Sequence, residues 1–254
     1  MKKILSCKTS LVSAMLLRDA MEEITGKHAV VSKEAGAIGK EGCMVRYGNG
    51  FPISQGYPDT KFNSPEFIEM CSNKLHSSEL LRELGMLTPV FHAQVDRFVP
   101  MKFPVLIRET LKGCGGDGIV PIETSEEFEK KWTVGKYWTP YLKVAYEVRA
   151  YVLDGEITHA YYKVPFANQV NDDTPVRSDY HYSYIDPAGR FSKLKGNIKK
   201  IVEGTLGKFF SVDAGWMPEL NSYVIFELNS GSWMNKSIVK PLAAYLVKQL
   251  ASEF

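Results

Sequence analysis

The sequence predicts a mixed α/β protein, and three observations support this fold class. Short apolar runs alternate with longer segments whose apolar residues recur at helical spacing, as in "TSLVSAMLLRDAMEEITG". Two alternating runs flank Asp154-Gly155, a dipeptide typical of a tight hairpin turn. Hydrophobic residues make up 44% of the 254 residues and charged residues 24%, which indicates a folded protein rather than a disordered one.

Composition also excludes some functions. The 31 basic and 29 acidic residues leave a net charge of +2, so no nucleic-acid-binding surface is indicated. The four cysteines form no C-x-x-C pair, which argues against structural zinc and a disulfide framework. Lys8 and Arg18 interrupt the apolar N-terminal segment, and no run reaches the roughly 18 apolar residues of a membrane span. We therefore expect a cytoplasmic protein without membrane or nucleic-acid partners.

The first third of the chain has the pattern of a small α/β unit. Residues 3–7 predict a strand, the helix quoted above follows and ends at Gly26, and "HAVVS" and "GCMVRYG" predict two further strands. Residues 50–64 are rich in Pro, Gly, Asn and Asp and predict a boundary.

The middle of the chain begins with helices. "SPEFIEMCSNKLHSSELLRELGM" predicts a helix capped by Ser64, with a break at Ser72 or Asn73 and an end at Gly85. "TPVFHAQV" predicts a strand, and "TSEEFEKKW" predicts a short helix capped by Thr124 or Ser125.

The last part of the chain predicts a hairpin, "YEVRAYVLDGEITHAYYKVP", followed by a polar segment rich in tyrosine over residues 167–200. A helix over about residues 197–206, the strands "FFSVDAGW" and "SYVIFELNS", and a helix over about residues 237–252 complete the chain.

One glycine-rich loop is a candidate phosphate site. In "FPVLIRETLKGCGGDGIV" a buried strand ends at Arg108, and Gly113, Gly115, Gly116 and Gly118 follow within six positions. Glycines let the backbone approach a ligand closely, and successive backbone N–H groups can bind an anion, with Lys112 adding charge. The alternative is a plain hairpin tip between strands 103–108 and 118–122, because the spacing matches neither common phosphate-loop fingerprint.

Alternation along the last two strands places polar side chains together. It predicts that Glu227 and Asn229 share a face with Ile225, opposite Val224, Phe226 and Leu228. Asp213 is predicted to lie opposite Phe210, Val212 and Ala214. If the strands pair, three hard oxygen ligands suited to Mg²⁺ converge. Ordinary solvent-facing positions are the alternative.

A second polar set comes from the hairpin. Glu147, Arg149 and Tyr151 are predicted to share one face, and Lys163 can join them from the return strand. They either form a surface ion pair of little energetic value or contact ribose and phosphates. The sequence around Lys74, taken by itself, indicates only a solvated side chain on a helix.

The order of these segments resembles the ATP-grasp superfamily, in the branch of D-alanine–D-alanine ligases, glutathione synthetases and ribosomal-protein glutamate ligases. The resemblance covers about residues 66–254 and rests on five motifs, listed in chain order: "NKLHSSELLRELGMLTP", the strand ending in a cation with its glycine loop, "WTPYLK", "YEVRAYVLDGE", and Asp213 with "ELN". It implies an N-terminal α/β domain at 1–65, a small lid subdomain at 66–138, and a C-terminal subdomain with the metal site at 139–254.

The resemblance also implies roles for single residues. Lys74 and Arg108 match the nucleotide-binding cations, and Glu147 matches the ribose ligand. Lys112, Gly113, Gly115, Gly116 and Gly118 match the flexible loop over the phosphates, and Tyr141 and Leu142 match the adenine hinge. Arg149 and Lys163 match the catalytic cations around the transferred phosphoryl group. The metal ligands correspond to Asp213, Glu227 and Asn229.

The activity that the resemblance implies is an ATP-dependent ligase that joins a carboxylate to an amine through an acyl phosphate. Its cofactors would be ATP and two Mg²⁺ ions, which Mn²⁺ could replace, and its substrates an amino acid, a peptide or a protein end. A small-molecule kinase and a non-catalytic nucleotide-binding module remain open, as does self-association into a homo-oligomer. Arg46 is a candidate for the substrate pocket, with a structural Arg as the alternative. Residues 164–200 are a second candidate, with a surface insertion as the alternative. The side chains singled out there are Arg177, His181, Arg190, Tyr180, Tyr182, Tyr184 and, just before the segment, Tyr162.

Overall fold

The structure, a computed structural model, describes residues 3–7, 11–32, 44–48, 60–93, 100, 102–110, 118–133, 136–165, 180–205 and 207–250. In these ranges the strands form three sheets, and α-helices pack against them. None of these helices is long and apolar enough to cross a lipid bilayer. The predicted mixed α/β class is confirmed.

The first sheet is parallel and has the order β2-β1-β3-β4. Its strands are β1 (Lys3–Cys7), β2 (Ala29–Ser32), β3 (Met44–Tyr47) and β4 (Thr60–Phe62). Helix α1 (Leu11–Thr25) connects β1 to β2, and it ends where Gly26 takes a φ of +64°, a value that glycine adopts without strain. This segment matches the α/β pattern predicted for it.

The second sheet is antiparallel and has the order β5-β8-β6-β7. Its strands are β5 (His92–Ala93), β6 (Val105–Arg108), β7 (Ile119–Ile122) and β8 (Tyr137–Pro140). Helix α4 (Ser125–Lys131) covers one face through Phe128, and Thr124 caps it by accepting a hydrogen bond from the Glu127 backbone N–H. The glycine-rich loop joins the antiparallel strands β6 and β7. A hairpin is therefore present whether or not the loop binds phosphate.

The third sheet is antiparallel, with the order β11-β10-β9-β12-β13. Its strands are β9 (Tyr146–Leu153), β10 (Glu156–Pro165), β11 (Tyr180–Ile185), β12 (Phe209–Met217) and β13 (Ser222–Asn229). Asp154 and Gly155 have φ values of +50° and +87°, as the predicted hairpin turn between β9 and β10 requires.

Among the described residues, helices pack against both faces of the third sheet. The remaining helices are α2 (Pro65–Ser72), α3 (Lys74–Glu83), α5 (Ser192–Thr205) and α6 (Lys236–Gln249). Side chains of α2, α3 and α5 pack into one core with Val148, Ala150 and Val212 of the sheet. Helices α1 and α6 pack on the opposite face around Tyr151 and Phe209. The polar residues of the candidate site lie on this second face, beside that core.

Three elements differ from their predicted extent. Helix α5 begins at Ser192 rather than near residue 197, because Gly196 continues the helix instead of breaking it. Strand β11 was predicted only as a polar segment, since "YHYSYI" lacks the apolar alternation of a half-buried strand. Within residues 88–93 the strand predicted from "TPVFHAQV" comprises only His92–Ala93. The domain division at 65/66 and 138/139 stays a prediction.

Gly215 in β12 allows close packing next to the site. A Cβ at this position would lie 2.5 Å from Val144 Cγ1 and 2.8 Å from Phe226 Cε2. We expect Gly215→Ala to lower the free energy of unfolding by roughly 1–3 kcal/mol, as overpacking does. The matched control is Gly196→Ala, since a Cβ there meets nothing within 4 Å and alanine favours a helix. Equal midpoints in urea denaturation for both variants would contradict this prediction.

Candidate active site

A single row of side chains crosses the third sheet from edge to edge. The backbone register pairs Tyr184 with Tyr161, Tyr161 with Arg149, Arg149 with Asp213, and Asp213 with Glu227. Directly opposed residues on neighbouring strands point to the same face, with strands about 4.8 Å apart. The row therefore places two tyrosines, a cation and two carboxylates side by side in that order.

Asp213 is the centre of the ion pairs in this row and is buried. Arg149 binds it in bidentate fashion, with Nε donating to Oδ1 at 2.6 Å and Nη2 donating to Oδ2 at 2.7 Å. Lys163 Nζ also donates to Oδ2, at 2.7 Å. Burial opposes the ionised form of Asp213, but the two cations outweigh it and hold the pKa of the carboxyl below its usual value. Asp213 is therefore a carboxylate at neutral pH.

Lys163 links this centre to Glu147. Its Nζ lies 3.5 Å from Glu147 Oε2, and the two residues are register partners on β10 and β9. Burial opposes the charged ammonium, yet Asp213 and Glu147 together raise the pKa of Lys163. The predicted shared face of Glu147, Arg149, Tyr151 and Lys163 is confirmed, and two cations meet two carboxylates in it.

Lys74 reaches the end of the row from a helix. Its Nζ donates to Glu227 Oε1 at 2.7 Å, although the two residues are 153 positions apart. Asn73 caps α3 by accepting hydrogen bonds from the Leu75 and His76 backbone N–H groups, which fixes Lys74 at the first turn. The interpretation of Lys74 as a merely solvated residue is wrong.

Arg108 approaches Glu227 from the second sheet. Its guanidinium carbon lies 5.5 Å from the ring centroid of Phe91, and its Nε is buried without a hydrogen-bond partner among the described residues. Burial lowers the pKa of Arg108, while the Glu227 carboxylate acts in the opposite direction. Two cations from different elements therefore act on one carboxylate. A buried unpaired donor of this kind requires a polar ligand or water.

A β-bulge determines the face on which Glu227 lies. Asp213 pairs with Glu227, whereas the next pair is Ala214 with Ile225, so Phe226 is an extra residue on β13. Ile225 consequently packs in the same core as Leu228. The predicted grouping of Ile225 with Glu227 is wrong, because strict alternation holds only where no residue is inserted. The alternation predicted for β12 agrees with the packing of Phe210, Val212 and Ala214 in that core.

The donor set of Asp213, Glu227 and Asn229 suits magnesium. Ser211 is the register partner of Asn229, so Asn229 stands two residues along from Glu227 on the site side of the sheet. The Nδ2 atom of Asn229 is buried and has no hydrogen-bond partner among the described residues. Two carboxyl groups and an amide are oxygen ligands of the type that Mg²⁺ binds together with phosphates. The residues present therefore fit the metal.

Other predicted residues have definite positions. Tyr141 and Leu142 connect β8 to β9, and the Tyr141 backbone N–H donates to the Pro104 carbonyl at 3.2 Å. Gly118 has a φ of +70°, and its carbonyl accepts a hydrogen bond from the Glu109 N–H at 2.8 Å. Arg46 is buried. Several predicted residues lie outside the described residues, namely Lys112, Gly113, Gly115, Gly116 and the segment 166–179, which includes Arg177.

The sequence left two aromatic residues of the site unassigned. Tyr161 stands two residues from Lys163 on β10, so alternation could have placed it on the site face. Phe91 gives no comparable signal. Tyr162, which was a candidate for the substrate pocket, packs instead on the opposite face, with its ring centroid 5.2 Å from that of Tyr146.

Comparison with solved structures decides the fold. The ATP-grasp ligase PsnB, complexed with a minimal precursor, superimposes with a TM-score of 0.70 over 97% of this chain and 99% of that chain, at 12% identity. The chain has the ATP-grasp fold. The D-alanine–D-alanine ligase of Bacillus anthracis complexed with ATP gives a TM-score of 0.65 at 13% identity over 99% of this chain and 94% of that one.

A third structural neighbour is the macrocyclase MdnC of Microcystis aeruginosa MRC bound with precursor peptide MdnA. It gives a TM-score of 0.62 at 12% identity over 98% of this chain and 100% of that one. Among curated proteins, the tetrahydromethanopterin:alpha-L-glutamate ligase of Methanocaldococcus jannaschii is 26% identical over 201 residues. This match covers 70% of the chain and spans 64% of the relative's length. No protein-family model matches the chain.

Proposed function

We propose that this ATP-grasp chain is an ATP-dependent carboxylate–amine ligase that acts on a peptide or protein end. The observation that carries the proposal is the buried Asp213 carboxylate between Arg149 and Lys163, in one row with Glu227. Such a row supplies anions for a metal and cations for phosphate oxygens within a few ångströms. Positioning and charge stabilisation of this kind account for most of the catalysis of phosphoryl transfer.

Each residue then has a definite task. Lys74 and Arg108 bind phosphate oxygens of ATP, Glu147 binds the ribose, and the backbone at Tyr141 and Leu142 binds adenine. Lys112, Gly113, Gly115, Gly116 and Gly118 belong to the loop that contacts the phosphates. Asp213, Glu227 and Asn229 hold the metal. Bound Mg²⁺, for which two ions and replacement by Mn²⁺ are proposed, neutralises charge on the transferred phosphoryl group.

The reaction proceeds in two displacements. A carboxylate oxygen of the first substrate attacks the γ-phosphorus of ATP, so that ADP leaves and an acyl phosphate forms. The amine of the second substrate then attacks the acyl carbon, phosphate leaves, and the amine proton passes to solvent. Arg149 and Lys163 stabilise the negative charge that develops in both steps. Exclusion of water protects the acyl phosphate between them.

The similar proteins support this class of reaction. Three ATP-grasp neighbours are ligases or a macrocyclase, and two of them are complexed with a precursor or a precursor peptide. The curated relative is named as a glutamate ligase. A small-molecule kinase is the second candidate, because the same cations would serve transfer to a hydroxyl. A cytoplasmic location and the homo-oligomeric state stay predictions.

ADP and phosphate release separate these functions. With hydroxylamine as the amine and a panel of carboxylates and short peptides, we expect ADP and phosphate to appear in equal amounts together with a hydroxamate. ADP without phosphate would indicate a kinase, and neither product would indicate a binding module. We expect Asp213→Asn to abolish turnover, while Asp186→Asn, a matched change at an exposed position, should retain it.

A further inference from the structure

The row that crosses the sheet continues past Arg149 into a cluster of aromatic rings. Tyr161 opposes Arg149, and Tyr184 opposes Tyr161 at the outer strand. Tyr182 opposes Lys163 in the next row. Metal ligands thus stand at one end of the site and tyrosines at the other, with the catalytic cations between them.

The rings of Tyr182 and Tyr184 both stand at a steep angle to the ring of Tyr161. Tyr161 is nearly buried, at 8% exposure, and its plane lies at 89° to that of Tyr182 and at 69° to that of Tyr184. The corresponding centroids are 6.3 Å and 5.6 Å apart. Tyr182 and Tyr184 are 38% and 57% exposed, although they lie close to the buried ionic centre. Ring faces are therefore accessible next to the reacting groups.

The spacing suits a single flat or rounded group. Side chains two residues apart on a strand are separated by about 6.6 Å, which is close to twice the contact distance of about 3.5 Å between carbon atoms. A chemical group one atom layer thick therefore fits between the positions of Tyr182 and Tyr184.

The charges around the rings favour a cation. The guanidinium carbon of Arg149 already lies 5.5 Å from the Tyr182 centroid, so this ring accepts a cation on its face. Arg149 and Lys163 are balanced by Asp213 and Glu147, which leaves this part of the site without excess positive charge. His159, whose ring centroid is 6.2 Å from that of Tyr184, has a pKa lowered by burial and adds no charge at neutral pH.

We propose that Tyr161, Tyr182 and Tyr184 form a cation–π subsite for the organic ammonium group of the amine substrate. The inference rests on the proposed ligase function and names the side of the site from which the amine enters. The amine substrate must lose a proton from its ammonium form before it can attack the acyl phosphate, and aromatic faces hinder this loss less than a carboxylate would. A carboxylate partner would raise the pKa of the amine, whereas ring faces attract the ammonium more weakly.

Two probes of equal shape test the subsite without turnover. Choline carries a quaternary ammonium group, and 3,3-dimethyl-1-butanol is its uncharged carbon analogue. NMR titrations that follow the methyl signals should give a dissociation constant about 5- to 30-fold lower for choline than for the alcohol. We expect Tyr184→Leu to remove this preference and Tyr184→Phe to keep it, because phenylalanine retains the ring. Equal binding of the two probes, or an unchanged preference in Tyr184→Leu, would overturn the subsite.

Kinetics connect the subsite to the amine. Choline should compete with hydroxylamine in the ADP-release assay but not with ATP, and this inhibition should weaken about fivefold in Tyr184→Leu. Competition with ATP instead would overturn the placement. If no amine-dependent ADP release occurs, the ligase function fails, and the NMR comparison still decides whether the cation subsite exists. Because Tyr184 is largely exposed, Tyr184→Leu should unfold at the parent temperature, which a melting curve checks.

Discussion

Glu227→Gln is expected to remove the magnesium-dependent part of the stabilisation that ATP gives to the protein. At a ligand concentration 100-fold above Kd, binding stabilises a protein by about 2.7 kcal/mol, which for a chain of this size raises Tm by roughly 5–10 °C. The carboxylate at residue 227 is the proposed metal ligand and the partner of Lys74 at 2.7 Å. Glutamine keeps the shape but loses the charge that the metal requires.

The measurement is a set of melting curves with ATP and with ATP plus Mg²⁺. Glu219→Gln is the control, since Glu219 is exposed after β12 and the same change there should leave the shift intact. Without ligand, Glu227→Gln should also lower the free energy of unfolding, because Lys74, whose side chain is 12% exposed, and the buried Arg108 lose their carboxylate partner. The ligand-induced shift is therefore taken relative to the melting temperature of the same variant without ligand. A full magnesium-dependent shift in Glu227→Gln would remove Glu227 from the metal site.

Arg149→Lys is expected to lower kcat for ADP release by about 100- to 1,000-fold, which is the usual cost of losing one preorganised donor to a developing charge. Arginine holds both oxygens of Asp213 with a planar fork, at 2.6 and 2.7 Å. An ammonium keeps the charge but cannot make the two parallel hydrogen bonds. The KM for ATP should change far less than kcat, because Lys74 and Arg108 remain.

Steady-state kinetics on purified variants test this expectation. Arg190→Lys is the matched control at an exposed position and should keep the parent kcat. A melting curve separates a catalytic loss from unfolding, since the variant retains a cation next to Asp213 and should remain folded at the assay temperature. A parent-like kcat in Arg149→Lys would show that the fork is not needed for the reaction.

Much of the fold and of the site could be predicted from the sequence because the signals are local. Caps such as Ser64 and Thr124 act on the next few residues, and the Asp154-Gly155 turn fixes its own hairpin. The shared face of Glu147 and Arg149 follows from alternation along a regular strand.

What could not be predicted depends on distant residues. The contact of Lys74 with Glu227 joins segments 153 positions apart, and nothing local to either residue indicates it. The pKa of Arg108 is lowered by burial and raised by the Glu227 carboxylate, which comes from a distant strand of another sheet. Strand β11 is stabilised by pairing with β10 rather than by its own pattern, so its tyrosines reach the site only in the assembled sheet.

The bulge at Phe226 would let this strand lose one residue without changing the face on which the site residues lie. Upstream of it the odd-numbered residues of β13, such as Ile225, face the core, and downstream the even-numbered Leu228 does. Without Phe226 the strand would alternate regularly, with Ile225 still opposite Ala214 and Glu227 still opposite Asp213 on the site face. In a comparison of related chains, a single-residue gap at Phe226 would therefore be compatible with an intact metal site, because the residues of "ELN" would keep their facing.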